Sequence, residues 1–105
     1  MTETKREIFN QYAKQVSEAY GVFEDTLFTD ITEHESNDLK ADVTDARHMV
    51  MHLCKQRSMT TQFIHSMFIE RGFKLDYTSV MYGIKSAKKK MGKDIDFSNA
   101  VKEIA

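Results

Sequence analysis

The sequence predicts an all-α protein, a single small domain of five to six helices with a helix-turn-helix at about residues 60–70 and 76–91. Three observations carry that prediction. The 105 residues include no proline, so no position forces a helix to break. Apolar residues recur in segment after segment at the three- and four-residue spacing of one helix face. Gly21, Gly72 and Gly92 fall where those patterns stop, the place a helix C-cap takes. At 41% hydrophobic the chain can build one modest core.

The first helix spans about Thr4 to Tyr20, with Ile8, Phe9, Tyr12, Val16 and Ala19 as its buried stripe and Gly21 as its stop. A short second helix begins near Phe23 or Glu24 and turns Leu27, Phe28 and Ile31 inward. These form an N-terminal helical segment over 1–32. Glu33 to Asp42, EHESNDLKAD, has no apolar period, so 33–43 reads as an acidic loop. Thr44 is placed to cap a third helix from Asp45 to about Arg57, with the stripe Ala46, Met49, Val50, Leu53 and Cys54. Ser58 or Thr60 caps a fourth, in which Phe63, Ile64, Met67 and Phe68 are core and Gly72 is the stop. The helix-turn-helix core is 44–92, and a last helix over 97–104 presents Phe97, Val101 and Ile104.

The fifth helix, Asp76 to Met91, is the most informative segment. Asp76 can cap it, and Val80, Ile84, Ala87 and Met91 make its apolar stripe. The opposite side gathers Thr78, Tyr82, Lys85, Ser86 and Lys89: hydroxyls first, lysines later. A helix laid in the DNA major groove has this order, because its N-terminal residues meet base edges and its later cations meet phosphate.

Charge agrees locally. Residues 1–46 carry four Lys/Arg against eleven Asp/Glu, or −7; residues 47–105 carry eleven against five, or +6, which sums to the chain's −1. A nucleic-acid footprint is local, so the near-neutral total does not exclude one. The acidic half reads either as inert solvated surface or as a surface that keeps other basic proteins nearby. The lone Cys54 rules out an internal disulfide and fits a reducing compartment. No apolar run approaches the roughly 20 residues of a membrane span and no signal peptide is visible, so a cytoplasmic protein without membrane contact is expected.

Asp45 to Gln56, DARHMVMHLCKQ, followed by Asp76 to Lys85, DYTSVMYGIK, resembles the C-terminal DNA-binding domain (domain IV) of the bacterial replication initiator DnaA. That family shows an A-R-Q-x-A-M-x-L helix and then a Trp-repressor-like helix-turn-helix ending in D-H-T-T-V-x-H-A. Upstream, VSEAYGVFEDTLF (Val16 to Phe28) is similar to its V-A-x-Y-Y-G-V-x-x-x-D-L-L segment. Downstream, DFSN (Asp96 to Asn99) matches a pattern near some members' C-termini, so the resemblance covers roughly residues 11–103.

The resemblance implies sequence-specific binding of double-stranded DNA in replication or transcription control, with a replication protein as the expected partner of the N-terminal acidic half. It implies that Asp76, Thr78 and Ser79 read base edges, with Asp76 able to accept from a cytosine amine. It further implies that Lys55 touches the phosphate backbone and that Thr60 and Thr61 hold a phosphate at a helix N-terminus. Arg47 keeps the A-R arginine, either on DNA or in a structural ion pair. The sequence departs from the family in three places. Tyr77 replaces its histidine, so base preference at that step differs or the ring packs on a thymine methyl or the backbone. The connection Ile69 to Leu75 is longer than the usual G-G-R, which either adds Arg71 and Lys74 as phosphate contacts or tilts the fifth helix. The basic minor-groove loop is replaced by EHESNDLKAD, whose only Lys or Arg is Lys40.

No phosphate loop of the G-x-x-x-x-G-K-[ST] type is present, so no ATPase accompanies the domain, and a phage, plasmid or accessory protein is expected. His48 and His52 lie four apart on one helix face but lack a placed third ligand, and read as partly exposed residues beside the core stripe, not as a metal site. Cys54 reads as a core residue, not a nucleophile. Lys88, Lys89 and Lys90 read as part phosphate patch and part solvated helix end, with Lys85 and Lys89 the stronger candidates. The expected function is non-catalytic and cofactor-free DNA binding through Asp76 to Ser79, Tyr82 and the lysines. The rival is a protein-interaction module that keeps the DnaA domain IV fold with weak or no DNA affinity.

Overall fold

The computed structural model describes residues 4–30 and 37–105. It is all-helical over those residues. α1 spans Lys5–Tyr20 and a 3-10 turn spans Glu24–Phe28. α2 spans Asn37–Gln56, α3 Thr61–Glu70, α4 Tyr77–Lys93 and α5 Ile95–Ile104. α2 is the central element: α4 packs along it most extensively, and α1, α3 and the 3-10 turn also lie against it.

The stripes are buried as the periodicity requires, with local differences. Ile8, Phe9, Tyr12 and Val16 are buried on α1, but Ala19 is exposed, and Ala13 and Ser17 take the inward positions instead. Ala46, Met49, Val50, Leu53 and Cys54 of α2 have no accessible surface, and Val43 one turn earlier is equally buried. Phe9, Phe28 and Phe68 converge from α1, the 3-10 turn and α3, with centroids 5.3–6.0 Å apart. Tilted and edge-on pairs of this kind stabilise beyond their buried area, typically by about 1 kcal/mol. Burial pushes the Cys54 thiol up to about 12, which makes it an inert core group.

Two boundaries differ from the sequence reading. α2 already includes Asn37, so the acidic segment is helical from there and Thr44 is an exposed residue within the helix, not its cap. Val43 explains the extension, since it continues the stripe one turn before Ala46. Residues 33–36 of the expected loop, and Ile31, lie outside the described residues. At the other end α4 runs through Gly92 to Lys93. Gly92 is therefore not a C-cap. Asp94 makes the break, and its side chain accepts a hydrogen bond from the Phe97 amide at 3.1 Å to open α5 two residues earlier than expected.

Three helices end in the same hydrogen-bond pattern. After α3, Gly72 N donates to Ile69 O at 3.0 Å and Phe73 N to Phe68 O at 3.0 Å, with Gly72 at φ 103°. The pairs Gly21/Val22 after α1 and Ser58/Met59 after α2 repeat it. This is the Schellman arrangement, which needs a left-handed residue. Ser58 supplies it at φ 65° without being glycine, at a conformational cost of about 1 kcal/mol. The reward is a tight α2–α3 corner that buries Met59 and leaves Thr60 to cap α3 through a 3.0 Å bond from the Phe63 amide.

Candidate nucleic-acid interface

α3 and α4 pack on one another across residues 71–76, the arrangement of a helix-turn-helix. The turn is longer than a minimal one, yet it is tied at several points. The His65 ring Nε2 lies 2.8 Å from Leu75 O, a bond that requires the ring to donate there. Arg71 donates to Asn10 Oδ1 at 2.7 Å and to Glu24 Oε2 at 2.8 Å, with its guanidinium 4.2 Å from the Phe28 ring centroid. Phe73 carries the Arg47 guanidinium 3.9 Å from its ring centroid.

Arg47 and Arg71 thus both have partners within the chain, the structural role that the sequence left open for Arg47 and did not assign to Arg71. Arg47 rises half-buried from α2, and its Nε donates to Leu27 O at 2.8 Å while a terminal nitrogen donates to Thr29 O at 2.6 Å. It caps the free carbonyls that end the 3-10 turn. Burial lowers its pKa, against a smaller opposing effect of Asp30, and a guanidinium remains charged throughout. The alternative of a structural role holds for Arg47, through carbonyls and a ring face. Its planar fork is what lets one side chain do both.

The remaining candidates stay on the surface. Asp76 takes the N-cap backbone geometry, but its side chain makes no capping bond, contrary to expectation; its carbonyl accepts from Ser79 N at 3.0 Å. Thr78, Ser79, Lys85 and Lys89 are exposed, and Tyr77 and Tyr82 are 44% and 67% exposed. Thr78, Tyr82, Lys85 and Lys89 follow one another along the outward side, opposite buried Val80, Gly83 and Ala87. α4 holds five lysines and no carboxylate. Lys90 is the one drawn inward, paired with Asp45 and 5.8 Å from the Phe97 ring centroid. Lys55 is exposed in the last turn of α2, Lys74 is exposed in the turn, Thr60 is the α3 cap and Thr61 is half-buried.

The sequence reading missed Met81, 52% exposed on the same outward side, and the way α4 is seated. A Cβ at Gly83 would fall 2.5 Å from Met51 Sδ and 2.8 Å from His48 Cδ2. Any larger residue would require the Met51 and His48 side chains to shift, so glycine permits this close approach of α4 to α2, and a glycine inside an otherwise good helix is the available signal. The seam puts His48 edge-on to Tyr82, with centroids 6.2 Å apart. Likewise His65 stands edge-on to Tyr77 at 5.9 Å. Each tyrosine of the outward face therefore rests on a histidine of a neighbouring helix.

Burial holds the His48 ring below its ordinary pKa, with Asp45 opposing and Lys90 and Arg47 adding to the depression. His52 is lowered by burial and then by Lys88, and its Nε2 is buried with no hydrogen-bond partner among the described residues. Also among the described residues, no three His, Cys, Asp or Glu side chains converge as a metal-binding group, and no helix is long and apolar enough to cross a membrane. No family model, no curated protein and no solved structure matches the chain.

Proposed function

We propose that the protein binds double-stranded DNA without catalysis, laying α4 in the major groove as the second helix of a helix-turn-helix. The observation that carries this reading is the outward face of α4, which presents Thr78, Ser79 and Tyr82 early and Lys85, Lys88 and Lys89 late, with no carboxylate in the helix. Hydroxyls near a recognition helix's start contact base edges, and lysines further on fix its register on phosphate. The Asp76 carboxylate, uncommitted to capping, is available to accept from a base amine. The resemblance of 45–56 and 76–85 to the DnaA domain supports the same surface and suggests which duplex to try first. Replication or transcription control, in a bacterial or phage-infected cytoplasm, is the setting that resemblance implies.

The test is a titration of two duplexes, one carrying a DnaA-type box and one scrambled, at two salt concentrations. Affinity should fall with salt at a log–log slope of about −0.9 per phosphate neutralised. A Thr78→Ala/Ser79→Ala variant should lose preference between the duplexes, whereas Lys55→Ala should weaken both alike. A protein partner is the second reading. It is favoured by exposed Tyr77, Met81 and Tyr82 on one face, since aromatic residues and methionine are enriched at protein interfaces. Failure to bind either duplex at low salt would end the DNA reading in its favour.

A further inference from the structure

We propose that Tyr77 and Tyr82 are backbone clamps: with α4 in the major groove, each hydroxyl donates to a phosphate, one on either strand. The juxtaposition that carries this is two exposed tyrosines on the two margins of α4, each braced by a histidine of a different helix. The inference rests on the DNA-binding reading above and divides the labour within that face.

The placement follows from helix geometry and from the partners. Residues at positions 77 and 82 of one α-helix point about 140° apart. Tyr77 lies on the α3 side, where His65 stands edge-on to it with centroids 5.9 Å apart and an interplanar angle of 83°. Tyr82 lies on the α2 side, where His48 stands edge-on at 6.2 Å and 77°. Thr78, Met81 and Lys85 occupy the arc between the two rings.

Neither histidine is loosely held. His65 Nε2 lies 2.8 Å from Leu75 O, a bond that ties α3 to the residue before the α4 cap. His48 is pressed against the α4 backbone, where a Cβ on Gly83 would come 2.8 Å from its Cδ2. Each histidine thus supports its tyrosine from within, while Tyr77 and Tyr82 stay 44% and 67% exposed. Among the described residues, no hydrogen bond engages either phenolic hydroxyl.

An α-helix with its side chains is roughly 10–12 Å across, and the major groove is about 12 Å wide. A helix filling the groove turns its central arc to base edges and its two margins to the phosphates that bound the groove. A tyrosine at a margin reaches outward and carries a hydroxyl that can donate to a phosphate oxygen. Edge-on packing restricts each ring before DNA arrives, so less rotational freedom is lost on binding. Thr78, in the arc between, is left to the base edges.

The experiment uses the full chain with the box-bearing and scrambled duplexes, about 20 base pairs each, at fixed low salt. Tyr77→Phe and Tyr82→Phe keep the rings and their histidine packing and remove only the hydroxyls. Each should weaken both duplexes alike, by about fivefold, without changing the preference between them or the salt slope. Neutral methylphosphonates placed one at a time along both strands should locate the partners. On each strand one substitution should weaken the wild type more than it weakens the matching phenylalanine variant. His65→Gln should weaken the wild type but leave Tyr77→Phe nearly unaffected, the mark of a residue that acts through the hydroxyl it positions. His48→Gln and Tyr82→Phe should be coupled in the same way.

A preference between duplexes that shifts with either Tyr→Phe change makes that ring a base reader and overturns the proposal. Undiminished affinity in both variants overturns it too, as does a coupled methylphosphonate on one strand only. Should a histidine variant fail to fold, the phenylalanine variants and the methylphosphonates decide alone. Absence of wild-type binding to either duplex fails the DNA reading itself, an outcome distinct from binding that ignores the hydroxyls.

Discussion

The turn between α3 and α4 and the outward face of α4 draw on the same kind of residue and use it in opposite ways. Around the turn, Arg47 and Arg71 are half-buried, stacked on Phe73 and Phe28, and bonded to carbonyls, an amide and a carboxylate of distant segments. On α4, Lys85, Lys88 and Lys89 extend into solvent among hydroxyls and aromatic rings. A planar guanidinium loses less hydration on burial and satisfies several acceptors at once, whereas an ammonium is a strongly hydrated point charge on a flexible stem. The division teaches that a count of cations overstates a binding surface. Arg47, Arg71 and Lys90 are engaged within the chain, and Lys85, Lys88 and Lys89 are what α4 presents.

Replacing the arginines should break this comparison most visibly. Arg47→Ala leaves the Leu27 and Thr29 carbonyls without their donor and uncovers Phe73, so unfolding stability should fall by about 3 kcal/mol, read by denaturant titration. Arg71→Ala removes a more exposed ion pair, one bond to Asn10 and the Phe28 stack, and should cost about 1–2 kcal/mol in the same measurement. Arg71→Lys should recover only part of that loss, because the lysine cannot span both partners.

Acid should act next, on the seam beneath the lysines. His48 and His52 hold fewer protons folded than unfolded, so their contribution is complete above the ordinary histidine value of about 6.5 and declines as pH falls below it. The free protein's thermal midpoint should therefore drop between about pH 7 and 5, and a His48→Gln/His52→Gln variant should drop less. A midpoint that rises with acid would contradict neutral rings in the seam. The smallest stability effect belongs to Lys85→Ala and Lys89→Ala, within about 0.5 kcal/mol of wild type. On the proposed function, each should nonetheless reduce the salt slope of duplex binding by about one.

Much of the architecture is legible in the sequence because a helix records its buried side locally. The stripe of α2 can be read from Ala46 to Cys54, and that of α4 from Val80 to Met91, without knowing what covers them. The ends are harder. Thr44 has the chemistry of a cap, but Val43 finds a place in the core and the helix runs past both. Gly92 has the chemistry of a stop, but nothing in the packing requires a left-handed residue there and Asp94 breaks the chain two residues later. Of the thirteen residues that sequence reasoning put at the interface, Arg47 and Arg71 are drawn inside, while Tyr77, Thr78, Ser79, Tyr82, Lys85 and Lys89 stay on the outward side of α4.

Spacing and propensity act within a few residues, so the existence of the helices, most of their buried stripes and the lysine-bearing face of α4 are legible in the chain itself. Which cations stay exposed, how the long turn is tied and what lies beneath the tyrosines follow from contacts between segments distant in the chain. Arg47 finds its acceptors 18 and 20 residues away, and Arg71 finds its partners 47 and 61 residues away. No local pattern encodes an arginine's choice between a carbonyl that distant in the chain and a phosphate outside it.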